Sequence, residues 1–84
     1  DYPVEAVPEG NLLVLHNYDR PGVIGFIGKI LADANINIAM MNLSRRKIKG
    51  RAISMINVDS RIPEEILEAL RSNENILSAV QVQL

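Results

Sequence analysis

Cysteine is absent from this 84-residue chain, which excludes a disulfide framework, thiolate zinc sites, iron–sulfur ligation and a cysteine nucleophile. Tryptophan is absent as well. The aromatic set is Tyr2, Tyr18 and Phe26, too sparse and scattered to stack nucleobases. His16 is the one histidine and has no companions for a metal site or a nucleophilic triad, so it reads as structural. An excess of either charge is also lacking: nine Lys+Arg oppose ten Asp+Glu, a net −1, and no global field draws the chain to nucleic acid or to an anionic membrane. The longest apolar runs, such as residues 12–15, fall far short of the roughly 20 residues that cross a bilayer. No secretory signal pattern opens the chain. These absences predict a soluble, cytoplasmic domain with no metal, no catalytic residue, no nucleic-acid partner and no membrane partner.

What is present is ordinary globular composition, 48% apolar and 23% charged. A chain this short buries only about 60% of its unfolded surface, so burial against a second chain would add appreciably to its stability. Residues 1–10 carry Pro3, Pro8 and Gly10 and are read as a linker from a longer parent chain, with the folded domain at 11–84.

Within the domain the hydrophobic period alternates between strand and helix. Residues 11–17 form a first strand, apolar enough to be central and buried on both faces. Pro21 takes the first helical position, and Val23, Ile24, Ile27, Ile30, Leu31 and Ala34 make one apolar face, with Phe26, Lys29 and Asp33 outside it. Asn35 stops that helix in a left-handed conformation. Residues 36–45 make a second strand, with Ile36, Ile38 and Met40 on one face and Asn37, Ala39, Met41 and Leu43 on the other. A basic connection leads to a third strand at 51–59. Pro63 opens a second helix with Glu64 and Glu65 in its first turn and Ile66, Leu67 and Leu70 as its stripe. Residues 76–84 end the chain as a half-exposed edge strand. Asn42 and Asn57, polar within apolar strands, are expected at an exposed edge or against a partner chain. The order βαββαβ, with right-handed crossovers, predicts an α+β ferredoxin-like sandwich: a four-stranded antiparallel sheet ordered four-one-three-two, with both helices on one face. The second strand is then an unpaired edge.

The densest chemistry lies in the first turn. Residues 17–24 run from a strand end over a helix start, where the free N–H groups of residues 22–24 suit an anion. Gly22 admits close approach to the backbone, and Asp19 can accept from an ammonium group, so the pair fits the two ends of a zwitterion. The bland alternative has Asp19 capping the helix and Arg20 solvated. Asn37, at the start of the second strand and placed beside the mouth of the same layer, can donate and accept through its amide; alone it reads as a turn-proximal polar residue, and only its pairing with the first turn makes it a candidate. The candidate effector-binding set is Asn17, Asp19, Arg20, Pro21, Gly22, Val23, Ile24 and Asn37. The basic run Arg45, Arg46, Lys47, Lys49 and Arg51 reads as a solvated hairpin tip.

The segment HNYDRPGVI at residues 16–24, followed by NINIA at 35–39, resembles the ACT domain family, small ferredoxin-like modules that bind amino acids and regulate metabolic enzymes. The resemblance covers residues 11–84. It implies a small amino-acid effector, L-serine first, held between two copies: Asn17, Asp19 and the backbone of residues 22–24 from one chain, Asn37 from the other. It implies a homodimer through the strand-two edge. The flanks VEAVPEG at 4–10 and PEEIL at 63–67 are similar to the regulatory modules of the NAD-dependent dehydrogenases that open serine synthesis, the NAD lying in the parent and no cofactor in this domain. The alternatives are the module in the beta subunit of iron–sulfur serine dehydratases and a structural oligomerisation module with no ligand.

Overall fold

A computed structural model describes residues 10–45 and 50–83; the linker expected before residue 10, the basic residues 46–49 and Leu84 lie outside the described residues. The elements are β1 (Asn11–Tyr18), α1 (Val23–Asp33), β2 (Ile38–Arg45), β3 (Arg51–Val58), α2 (Glu64–Arg71) and β4 (Ile76–Gln83). All pairings are antiparallel and the order is β2-β3-β1-β4, the predicted ferredoxin-like topology. Neither helix is long and apolar enough to cross a membrane.

The register sets out the sheet in cross-strand rows. On the helix-facing side, Met41, Ile56, Leu13 and Gln81 form one row and Leu43, Ser54, Leu15 and Ala79 the next. Ile27 and Leu31 of α1, with Leu67 and Leu70 of α2, close over Leu13, Leu15 and Ile56 to make the core. At one end of the sheet Ile38, Val58, Asn11 and Gln83 lie side by side; at the other end stand Arg45, Ala52, Asn17 and Ile76.

Several local expectations are corrected. β1 is central, but only one of its faces is deeply buried, since Leu12 and Val14 are half-buried and His16 is exposed. The helix α1 does not begin at Pro21: Gly22 is its N-cap, with φ 89° and ψ −17°, and Pro21 belongs to the preceding turn. In α1, Ile24 is 40% exposed while Phe26 packs against the core. Ile24 stands in the first turn of the helix, where it borders an open cleft, whereas Phe26 lies a half-turn further along, over the sheet.

In β2 the register slips between Ile38 and Met40, leaving Ala39 as an extra residue. That bulge moves Met41 onto the core side with Ile38 and turns Met40 away from it, the reverse of strict alternation. A second slip between His16 and Asn17 marks the β1–β4 pairing. Asn57 is not at an edge: it sits on an interior strand and is 3% exposed. Asn35 does take φ 63°, the left-handed stop expected after α1. In α2 Pro63 is the N-cap rather than the first helical residue, with Glu64 and Glu65 following as expected.

Candidate functional site

The end of β1 is tied down on both sides before the chain turns. Tyr18 N–H donates to the Asn75 carbonyl at 2.9 Å, and Asp19 N–H donates to the Gly50 carbonyl at 2.6 Å. Arg20 N–H then returns to the Tyr18 carbonyl at 3.1 Å, and Val23 N–H to the Arg20 carbonyl at 3.3 Å. The positive φ of Gly22 lets the chain swing into α1. A Cβ at position 22 would meet nothing within 4 Å, so the cost of a side chain there is conformational alone. Gly22→Ala should cost about 1–2 kcal/mol, the penalty of a left-handed residue with a Cβ, and lower the midpoint of thermal unfolding by roughly 4–8 °C per kcal/mol, read by circular dichroism.

The first intrahelical bond runs from Phe26 N–H to the Gly22 carbonyl at 2.9 Å, so the Ile24 and Gly25 amides precede the bonded ladder. No side chain caps α1, and its first turn holds no acidic residue, whereas α2 carries Glu64 and Glu65 there. The positive end of the α1 dipole is therefore left uncompensated by its own sequence. Asp19 does not cap it. Its carboxylate instead faces the end of β2, where Oδ2 lies 2.7 Å from Arg45 Nε.

Asp19, Arg20, Pro21, Gly22, Ile24, Leu43 and Arg45 line an open cleft of about 430 Å³. It offers an anion, a cation, bare backbone at Gly22 and an apolar wall from Ile24 and Leu43. The Arg20 guanidinium is already engaged, 4.4 Å over the Tyr18 ring and 2.8 Å from Asn75 Oδ1. Arg45 and Asp19 are 72% and 33% exposed at their side chains, so their ion pair is solvent-screened and worth at most about 1 kcal/mol. A charged ligand can split it at little cost.

Three of the residues expected in the site lie elsewhere in one chain. Asn17 is 1% exposed and lies beneath the cleft, its Oδ1 accepting from Ser54 Oγ at 3.0 Å and its Nδ2 donating to the Tyr18 carbonyl at 3.0 Å. The Val23 side chain is core, and its amide is taken by Arg20. Asn37 is not beside the mouth of the cleft. β2 runs parallel to β1, so its beginning lies at the opposite end of the sheet, an eight-residue strand or roughly 25 Å from Asp19. There Asn37 lines a smaller cleft of about 250 Å³ with Ala32, Asn35 and Ile36, and its Nδ2 donates to Asp59 Oδ2 at 2.9 Å. Arg45 and Leu43 are the lining residues that sequence reasoning missed. The signal was available: once the strand order is fixed, it is the end of the second strand that adjoins the first turn. Among the described residues no cluster of three His, Asp or Glu side chains is placed to hold a metal ion.

The ACT domain model matches residues 11–75. The chain belongs to the ACT domain family. This ACT domain is 36% identical over 83 residues to the D-3-phosphoglycerate dehydrogenase of Methanocaldococcus jannaschii, an alignment covering 99% of the chain and 16% of that protein. It is 34% identical over 71 residues to the probable L-serine dehydratase beta chain of Bacillus subtilis, covering 84% of the chain and 32% of that protein. The crystal structure of a homoserine dehydrogenase from Thiobacillus denitrificans shares the fold, with a TM-score of 0.69 at 21% identity over 99% of the chain and 19% of that one. The ACT domain thus spans 16% of the length of the dehydrogenase it matches.

Proposed function

We propose that this ACT domain is the amino-acid-binding regulatory and dimerisation module of a cytoplasmic, NAD-dependent D-3-phosphoglycerate dehydrogenase, with L-serine as its effector. The observation that carries the reading is the cleft itself. A carboxylate, a guanidinium and an uncompensated helix start converge on one open cleft, which has room for a small amino acid. Asp19 takes the ammonium group, the backbone around Gly22 and Ile24 receives the carboxylate, Pro21 and Arg20 hold the turn, and Asn17 and Val23 support it from below. The similarity to a D-3-phosphoglycerate dehydrogenase supports the choice of parent, and the similarity to a serine dehydratase beta chain keeps the same effector under a second possible parent.

The edge position of β2 supports the dimer. Among the described residues β2 is an edge strand, and a second copy of β2 added antiparallel about a twofold axis would continue the sheet. Such pairing sets the beginning of one β2 against the end of the other. Asn37 of a second chain then comes to the cleft, although within one chain the two are a strand length apart. Effector binding at such a junction regulates the parent to the extent that two arrangements of the subunits differ in serine affinity.

Calorimetric titration with L-serine, glycine and L-alanine, alongside sedimentation equilibrium, tests the reading. A dimer that binds L-serine in preference to the other two is expected, with Asn37→Ala weakening serine by at least about ten-fold, the loss of one or two hydrogen bonds to a charged ligand. No heat at millimolar ligand removes the effector; a monomer at all concentrations removes the shared site.

A further inference from the structure

We infer that Arg45 is the specificity-determining residue of the cleft: it binds the effector's carboxylate, and in the free protein it holds Asp19 in an ion pair that only a zwitterion can replace at both ends. This rests on the reading of the cleft as an amino-acid site and adds a residue and a selection rule to it.

The geometry supplies each part. Arg45 ends β2, on the row of the sheet that also holds Asn17 at the end of β1. Its Nε lies 2.7 Å from Asp19 Oδ2, and both residues line the same cleft with Gly22 and Ile24. The backbone offers an incoming carboxylate the Ile24 and Gly25 amides of an uncompensated helix start, but not the Val23 amide, which already donates to the Arg20 carbonyl, and it offers no full positive charge. The Arg20 guanidinium is held by Tyr18 and Asn75. Arg45 is then the cation lining the cleft whose partner, Asp19, is a group that the ligand itself would engage. A guanidinium presents several N–H donors in a planar fork suited to two carboxylate oxygens.

The exchange is balanced in charge. The zwitterion's ammonium replaces Arg45 at Asp19, and its carboxylate replaces Asp19 at Arg45, so two ion pairs form where one is broken and no charge is left alone in the cleft. An amine without a carboxylate strands Arg45, and a carboxylate without an amine strands Asp19. The cleft therefore selects α-amino acids over their single-ended analogues by the second ion pair that only a zwitterion gains there. Ile24 and Leu43 form the wall against which a short side chain can pack.

The test is calorimetric titration of the wild-type chain and of Arg45→Gln and Arg45→Lys with L-serine, with ethanolamine as the ligand lacking a carboxylate, and with glycerate as the ligand lacking an ammonium group. Wild type should bind L-serine at least about ten-fold more tightly than either analogue. Arg45→Gln should lose at least about ten-fold for serine while ethanolamine holds or tightens, because Asp19 is released from its counter-ion. Arg45→Lys should keep part of the serine affinity. Arg45 is largely exposed, and an unchanged far-UV circular dichroism spectrum checks that the variants fold. Serine affinity unchanged in Arg45→Gln, or serine and ethanolamine falling together, overturns the role of Arg45 and leaves the amino-acid reading standing. Failure of the wild type to bind any amino acid overturns both.

Discussion

Leu15→Ala is expected to remove a large part of the stability of the fold. Leu15 is fully buried in the central strand, and its two neighbours across the sheet on the helix side are Ser54 and Ala79, both small and both buried. Leu15 is the large fully buried side chain of this row, whose other leucine, Leu43, stands half-buried on the edge strand. Neither neighbour can grow into the cavity, and Ile27, Leu31 and Leu70 are fully buried themselves. The cost should therefore lie in the upper part of the range for buried leucine truncation, about 3–5 kcal/mol. A domain of this size has on the order of 4–13 kcal/mol in total. Urea unfolding followed by circular dichroism should show the midpoint falling by about a quarter or more, with the slope retained. A loss under about 1 kcal/mol would mean that the row repacks.

The second large effect is expected at Asn17. Asn17→Ala deletes the acceptor of the Ser54 hydroxyl, which is fully buried, and also the donor to the Tyr18 carbonyl. An unsatisfied buried hydroxyl costs about 1–3 kcal/mol, to which the lost packing of a fully buried amide adds, for a total of about 2–4 kcal/mol. Ser54→Ala alone should cost about 1–2 kcal/mol, since it strands the Asn17 oxygen instead. The double variant should be less destabilised than the sum of the singles by roughly 1 kcal/mol, the signature of a shared hydrogen bond. Strict additivity would show that Asn17 acts through the turn rather than through Ser54. That cycle also bears on the site. Asn17 precedes Asp19 by two residues, and a reduced serine affinity in Asn17→Ala with ethanolamine reduced equally would mark it as a support of the turn.

The topology was legible because it rests on signals that tertiary context rarely overrides. Alternating periods of two and 3.6, Pro63 before two glutamates and Asn35 at a helix end placed six elements, and the right-handed crossover rule ordered the strands. What failed was finer. Strict alternation in β2 put Met40 on the core side; a single extra residue at Ala39 reversed it, and no composition signal announces a bulge next to an alanine. Pro21 suits a first helical position by its φ, but Gly22 after it can take φ 89°, and that freedom moved the helix start by two residues. The turn residues of the cleft were named from the sequence, and five of them do line it. Asn37 was misplaced because strand order was considered without strand direction. Arg45 was read as part of a solvated basic tip, and a charge run gives no hint of which member meets a carboxylate from another element.

The pairing of Asn11 with both Val58 and Gln83 puts the first and last residues of the sheet at the same pole, the one farthest from Asp19 and Arg45. In the proposed dimer, antiparallel pairing of the two β2 strands turns this pole of one chain toward the cleft end of its partner, so whatever is joined to Asn11 or Gln83 stands nearer the partner's effector than its own.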